Sequence, residues 1–195
     1  MSVKKLILAS SSPYRKGLLQ RFRLPFDSHA PDIDETPLPN EAITDTVYRL
    51  AKTKSLAISK IYPEAICIAA DTAAEWQGKI VNKPENHENA IEQLQMLQGK
   101  KIAFHTGFSV SELGPTPHII TEVVTSYVTF RALTLDQIKH YLHIQQPYAC
   151  AASLKCEDFG PVIMEKFEGD DYTALIGLPL IRLARVLEIF KVYLI

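Results

Sequence analysis

Some stretches of the chain are continuously apolar, and others repeat their apolar residues with a helical period. The alternation of these two patterns predicts alternating strands and helices. Continuous apolar runs predict buried strands at 5–9 and 66–70, the second of which ends at Asp71. The other predicted elements are strands at 26–30, 101–110, 119–130 and 161–166, a hairpin over 73–81, and helices at 14–22, 44–61, 87–97, 135–143 and 179–190. The alternation predicts an α/β domain with a mixed sheet.

Composition and charge exclude several classes of protein. The chain of 195 residues is 47% hydrophobic and 22% charged, which is the balance of a folded globular protein. The formal net charge of -1 offers no broad basic face, so we expect no stable nucleic-acid binding. The apolar runs fall short of the roughly 20 residues that a spanning helix needs, so we expect no membrane association.

The cysteines point to a reducing compartment. Cys67, Cys150 and Cys156 form an odd set with no CxxC spacing, which argues against a disulfide framework. The apolar run at 6–9 is too short for a secretion signal. We therefore expect a cytoplasmic protein without structural disulfides.

The turn after the first predicted strand is a candidate phosphate site. Three serines at 10–12 are followed by Pro13 and Tyr14, and then by Arg15 and Lys16. Hydroxyl and backbone N–H groups at a helix start, with two cations in the first turn, suit a phosphate. The alternative is a simple N-cap from Ser11 or Ser12, with the cations on a solvated face.

Two acidic positions are candidates for binding a metal or another ligand. Glu35 lies in the acidic loop 32–37, and Asp71 follows a buried apolar run with Lys83 downstream. Carboxylates at the carboxyl edge of an α/β sheet are well placed for a ligand, and carboxylates are ligands for hard cations. The alternatives are a solvated turn for Glu35 and an ordinary strand end for Asp71.

The segment 152–160 is a third candidate for ligand binding. It places Lys155, Glu157 and Asp158 ahead of Gly160, so a cation and two acids precede a turn glycine. Such a segment is able to recognise a base or a phosphate. It is equally consistent with a charged surface loop.

Six stretches occur in order along the chain: LILASSSPYRKGLL, DIDETP, LAKTKSLA, AADTAAEWQGKIVNKP, LQGKKIAFHTGFSV, and AASLKCEDFG followed by GLPL. With these stretches the chain resembles the Maf-like family from end to end. The resemblance implies a single domain over 1–195 with an elongated, mixed-sheet Maf/ITPase-like fold, in which two lobes flank a substrate cleft. It also implies a homodimer with nucleoside triphosphate pyrophosphatase activity that depends on a divalent metal cation, Mg²⁺ or Mn²⁺.

The resemblance also assigns roles to individual residues. Asp71 matches the catalytic aspartate, which accepts a proton from the attacking water and lies at the metal, and Glu35 matches an acidic position beside that metal. The residues that the resemblance places on the substrate's phosphates are Ser10, Arg15, Lys54 and Lys83.

Base preference follows from four positions. Tyr14, Lys155 and Glu157 match the 7-methyl-GTP branch of the family, in which an aromatic ring stacks on the cationic base and a carboxylate accepts its N–H groups. Thr72 instead matches the dTTP/UTP branch. We expect hydrolysis of 7-methyl-GTP to 7-methyl-GMP and pyrophosphate, which would clear modified nucleotides. The alternatives are a dTTP/UTP pyrophosphatase and a non-catalytic, nucleotide-binding regulator of cell division.

Overall fold

Strands and helices alternate in the computed structural model, which describes residues 4–195. The strands are β1 (Leu6–Leu8), β2 (Asp27–Ser28), β3 (Ile66–Trp76), β4 (Lys79–Val81), β5 (Lys101–Glu112), β6 (His118–Phe130) and β7 (Met164–Glu168). The helices are α1 (Pro13–Gln20), α2 (Ile43–Ile61), α3 (His87–Leu97), α4 (Leu135–Gln145), α5 (Tyr172–Ile176) and α6 (Leu180–Ile189). Within the described part of the chain, no helix is both long enough and apolar enough to cross a bilayer.

The strands form one mixed sheet in the order β2-β1-β3-β5-β6-β7, with β4 paired to β3. Strand β1 runs parallel to β2 and β3, whereas β4 and β7 run antiparallel to their neighbours. The predicted mixed-sheet α/β class is therefore confirmed. The chain divides into two compact units, which we call unit 1 (the chain up to Thr72, with Thr106–Val124 and Asp171–Ile195) and unit 2 (Ala73–His105 and Thr125–Asp170).

Unit 1 buries both faces of its central strands. On β1, Leu6 and Leu8 belong to one apolar cluster and Ile7 to a second, and the alternation continues on β3. Successive side chains of a strand point to opposite faces, so burial on both faces requires a continuous apolar run. This is the physical reason for the uninterrupted apolar pattern that predicted these strands.

Helix α2 lies directly against the sheet of unit 1. A Cβ atom on Gly107 would be 2.2 Å from the carbonyl oxygen of Val47, so only glycine permits this close approach of β5 and α2. Along the same contact the hydroxyl oxygens of Ser55 and Ser109 lie 2.9 Å apart, within hydrogen-bond distance. The close packing fixes the side of α2 that carries Lys54.

Unit 2 contains the hairpin of β3 and β4 together with α3 and α4, which pack on each other. Trp76 pairs with Lys79, and the two residues between them, Gln77 and Gly78, have positive φ of 52° and 75°. Two successive left-handed residues form the type I′ turn that suits a tight hairpin. The hairpin predicted over 73–81 is confirmed.

Two predicted strands have wrong bounds, and one helix was not predicted. Strand β3 does not end at Asp71 but continues to Trp76, so this carboxylate lies within the strand. The segment Gly160–Ile163 is a 3-10 turn, and the predicted strand at 161–166 begins only at Met164, because Pro161 lacks the N–H group that pairing needs. Helix α5 was not predicted, since five residues are too few for a helical period.

Candidate active site

The start of α1 is capped by the serines that precede it. Ser12 is the N-cap residue, and its hydroxyl accepts a hydrogen bond from the backbone N–H of Arg15 at 3.4 Å. The hydroxyl of the buried Ser10 accepts from the backbone N–H of Ser12 at 3.1 Å. Ser12 thus has the capping role of the alternative interpretation, while the hydroxyl of Ser10 still carries a proton to donate.

Arg15 is held in place from the far end of the sequence. Its Nε donates to the carbonyl oxygen of Gly177 over 3.0 Å. Gly177 has a φ of 128°, a conformation that L side chains rarely adopt, so the backbone that presents this carbonyl favours glycine. Burial lowers the pKa of Arg15, and the negative charges of Asp71 and Glu35 oppose that shift. The side chain stays cationic because the guanidinium starts from so high a pKa.

Lys54 bridges the two acidic positions that the sequence singled out. Its ammonium lies 2.6 Å from Oδ1 of Asp71 and 2.8 Å from Oε2 of Glu35. The Lys54 side chain is only 7% exposed, whereas that of Glu35 is 57% exposed. A buried ammonium is stable only when it is paired, so the carboxylates compensate the cost of burying Lys54.

Asp71 lies at the carboxyl end of β1, although its own strand continues. Leu8 of β1 pairs with Ile68 of β3, and the last bond between these strands runs from the N–H of Ala9 to the carbonyl of Ile68. Asp71 comes after Ile68 on β3 and therefore lies beyond the end of the pairing between β1 and β3. The carboxyl ends of parallel strands are where α/β sheets bind their ligands, which is the physical reason for placing chemistry here.

The donor set of Glu35 and Asp71 fits a hard divalent cation. Within residues 4–195 no group of three or more His, Cys, Asp or Glu side chains is arranged to hold a metal. Mg²⁺ commonly takes one or two carboxylates and completes its shell with water and substrate phosphates. Each of the two carboxylates engages Lys54 through one oxygen and so has a second oxygen for a cation.

The Thr72 hydroxyl belongs to a chain of hydrogen bonds in unit 1. Thr106 Oγ1 donates to the carbonyl oxygen of Ala174 over 2.8 Å and lies 3.1 Å from Thr72 Oγ1. Because the single Thr106 proton goes to a carbonyl, which can only accept, Thr72 is the donor in the second bond. Thr72 therefore presents an acceptor to any ligand.

The candidate residues of unit 2 lie on two segments. Lys83 is exposed and follows β4, and Lys155 and the exposed Glu157 follow the 3-10 turn Ala151–Ser153. The ammonium of Lys155 lies 3.4 Å from Asp158 Oδ2. A Cβ atom on Gly160 would lie 2.3 Å from the Lys155 carbonyl, so the predicted turn glycine is required by close packing.

The structure brings together Glu35, Lys54 and Asp71, and the charges of both carboxylates act on Arg15. Tyr14 is half-buried on α1. The contacts with substrate that the resemblance implies stay predictions.

Three supporting residues were missed from the sequence: Thr106, which holds Thr72, and Gln93 and Tyr141, which hold the segment before Lys155. They carry no local signal, because their partners are distant along the chain.

A buried lysine between two carboxylates, with an arginine nearby, is the kind of charged cluster that suits a phosphate-bearing ligand. Residues 5–190 match the model of the Maf-like protein family. The chain therefore belongs to that family.

Among its relatives, the 7-methyl-GTP pyrophosphatase of Hydrogenovibrio crunogenus is 46% identical over 94% of this chain and 92% of its own. The 7-methyl-GTP pyrophosphatase of Nitrosospira multiformis is 46% identical over 95% of this chain and 93% of its own. The solved structure of a HAM1 protein from Coxiella burnetii has a TM-score of 0.46 at 17% identity, over 95% of this chain and 99% of its own, a likeness too distant to inform the site.

Proposed function

We propose that this protein is a pyrophosphatase that hydrolyses 7-methyl-GTP between its α and β phosphates. The observation that carries the proposal is the bridge from Lys54 to Glu35 and Asp71. The proposal is supported by two relatives that are 46% identical over almost the whole chain and are named 7-methyl-GTP pyrophosphatase. The products would be 7-methyl-GMP and pyrophosphate.

In this proposal Asp71 accepts the proton of the attacking water. Lys54 holds one oxygen of that carboxylate at 2.6 Å, which fixes the direction of the other. Fixed orientation of a general base lowers the entropic part of the barrier. Arg15 and Ser10 donate to phosphate oxygens, on which negative charge builds up as the water attacks.

The charges of the cluster call for a further cation. Lys54 and Arg15 carry two positive charges and Glu35 and Asp71 two negative ones, so the four groups are neutral together. A triphosphate brings several negative charges of its own. We infer that a divalent cation binds with the substrate at the second oxygens of Glu35 and Asp71, and that this Asp71 oxygen turns one lone pair to the cation and the other to the attacking water. When bound, it would neutralise the developing charge on the phosphates.

The preference for the methylated base rests on Tyr14, Lys155 and Glu157. An aromatic ring attracts a cationic base over its face, and a carboxylate accepts hydrogen bonds from guanine N–H groups. Thr72, as an acceptor, is compatible with a base that presents N–H donors. The homodimer, the cytoplasmic location and the removal of modified nucleotides stay predictions.

The variant Asp71→Asn tests the proposal. We expect hydrolysis of 7-methyl-GTP to fall about a hundredfold or more, because the amide is no longer a base, while nucleotide binding persists. Asp32→Asn, in the exposed acidic loop, is the matched control and should leave the rate unchanged. Phosphorus NMR of the wild-type reaction should show pyrophosphate, whereas release of inorganic phosphate, or full activity of the Asp71 variant, would contradict the proposal.

A further inference from the structure

Gln93 lies on α3 and connects two segments of unit 2 through its side-chain amide. Its Nε2 donates to the backbone carbonyl of Asn82 over 2.9 Å. Its Oε1 accepts from the hydroxyl of Ser153 over 2.6 Å. Asn82 directly precedes Lys83, and Ser153 precedes Lys155 by two residues, so one amide touches both segments that carry candidate substrate contacts.

The orientation of this amide is fixed by its partners. The Asn82 carbonyl can only accept a hydrogen bond, so it requires the NH₂ group of Gln93. The Oε1 atom is then left for Ser153, whose hydroxyl is able to donate. Gln93 therefore donates to the segment at Asn82 and accepts from the segment at Ser153.

The segment at Ser153 needs such support. Ala152 and Ser153 have φ of 55° and 53°, in the left-handed region that non-glycine residues rarely adopt. The buried Tyr141 adds two contacts, because its hydroxyl donates to the Ser153 carbonyl over 3.0 Å and lies 3.3 Å from the backbone N–H of Lys155. The segment therefore keeps a costly backbone conformation through bonds to α3 and α4.

We propose that Gln93 is a positioning residue that sets the spacing between Lys83 and the Lys155–Glu157 pair. This inference rests on the proposed function, in which Lys83 contacts phosphate and the pair contacts the base. Gln93 itself touches no substrate. It acts by holding the two segments, so its loss should weaken nucleotide binding and base preference more than the rate of the bound substrate.

Gln93→Met is the test, because methionine preserves the length of the side chain and removes both hydrogen bonds. We expect KM for 7-methyl-GTP to rise about tenfold, which corresponds to the loss of one or two hydrogen bonds, with kcat within about twofold of wild type. The preference for 7-methyl-GTP over GTP should fall. Gln95→Met makes the same change at an exposed position of α3 and should match wild type.

A double-mutant cycle separates positioning from a general structural effect. If Gln93 acts through Ser153, Gln93→Met should raise KM less in the Ser153→Ala background than in wild type. An unchanged KM in Gln93→Met would overturn the inference, whether or not kcat or the melting temperature falls.

Hydrogen exchange tests the link without any substrate. The backbone amides of residues 82, 83 and 85 and of 153–157 should exchange faster in Gln93→Met than in Gln95→Met, and unchanged exchange would overturn the inference. A wild-type protein that hydrolyses no nucleotide would refute the proposed function, and the exchange comparison would still decide whether Gln93 holds the two segments.

Discussion

Lys54 is the residue on which the charged cluster depends. Its nearly buried ammonium contacts both Glu35 and Asp71, so removing it leaves two carboxylates close together without their shared partner. We expect Lys54→Met to lower kcat/KM for 7-methyl-GTP by about a hundredfold, because it disorders the general base and removes a cation at the phosphates.

The control for this variant is Lys60→Met, an exposed position near the end of the same helix, which should keep wild-type activity. Steady-state rates of both variants with saturating Mg²⁺ would decide the matter. Undiminished turnover in Lys54→Met would show that the cluster is structural.

At the scale of single residues, the sequence revealed the candidates but not their partners. Asp71 and Lys54 lie in stretches that resemble the family, and the structure places them in contact. The bond between Ser153 and Gln93 joins residues 60 positions apart. Such contacts arise from tertiary packing. One sequence, read by itself, holds no periodic or local signal for them.

At the scale of structural elements, the turn over 155–160 depends on Gly160. The N–H of Gly160 donates to the Lys155 carbonyl over 3.0 Å, and an added Cβ would lie 2.3 Å from the same oxygen. Gly160→Ala should therefore displace Lys155, raise KM for 7-methyl-GTP several-fold and lower the melting temperature.

The matched control is Gly17→Ala on α1, where an added Cβ would have no atom within 4 Å. It should retain full activity and gain about 0.5–1 kcal/mol of stability, since alanine is the better helix former. Equal KM values for the two alanine variants would contradict the role given to Gly160.

The start of α2, the helix that carries Lys54, is secured by Glu41. Arg49 donates to both Glu41 oxygens, at 2.6 and 2.7 Å, and Ala42, the N-cap residue, has no capping side chain. The hydrogen bond from Arg49, with further bonds from Leu38 and Thr46, lowers the pKa of Glu41 to about 2. Stability from this contact is complete above the ordinary pKa of a glutamate and is lost as the pH falls through about 2.

Glu41→Gln should therefore lower the melting temperature at neutral pH, and its difference from wild type should shrink as the pH is lowered from about 4.5 towards about 2. Glu92→Gln, at an exposed position of α3, is the control and should show little change. Thermal unfolding followed by circular dichroism over this range checks the prediction. A constant difference between Glu41→Gln and wild type at all pH values would contradict the linkage.

Element prediction succeeded where a pattern was long and failed where it was short or interrupted. The predicted range of α3, 87–97, matches the structure, because eleven residues give a clear helical period. Strand β3 was cut short at Asp71 because a half-buried carboxylate interrupts the apolar run, although the backbone pairing continues to Trp76. A polar side chain within the strand therefore hid its true end.

For the whole molecule, the sequence predicted the family and the mixed-sheet class, and both are confirmed. The chain divides into two compact units, and the two lobes flanking a substrate cleft stay a prediction. By the resemblance, base preference depends on a few side chains, and here they match two branches of the family. Tyr14 and Glu157 match the 7-methyl-GTP branch, and Thr72 matches the dTTP/UTP branch. The identity of the preferred substrate is therefore the question that an experiment should answer first.

The most direct test is pyrophosphate release by the purified wild-type protein with Mg²⁺, measured side by side for 7-methyl-GTP, GTP, dTTP, UTP and CTP. The account predicts that kcat/KM is highest for 7-methyl-GTP, by about tenfold or more over GTP, through the favourable contact of the cationic base with an aromatic ring. Equal or higher kcat/KM for dTTP or UTP, or no pyrophosphate from any of the five nucleotides, would contradict it.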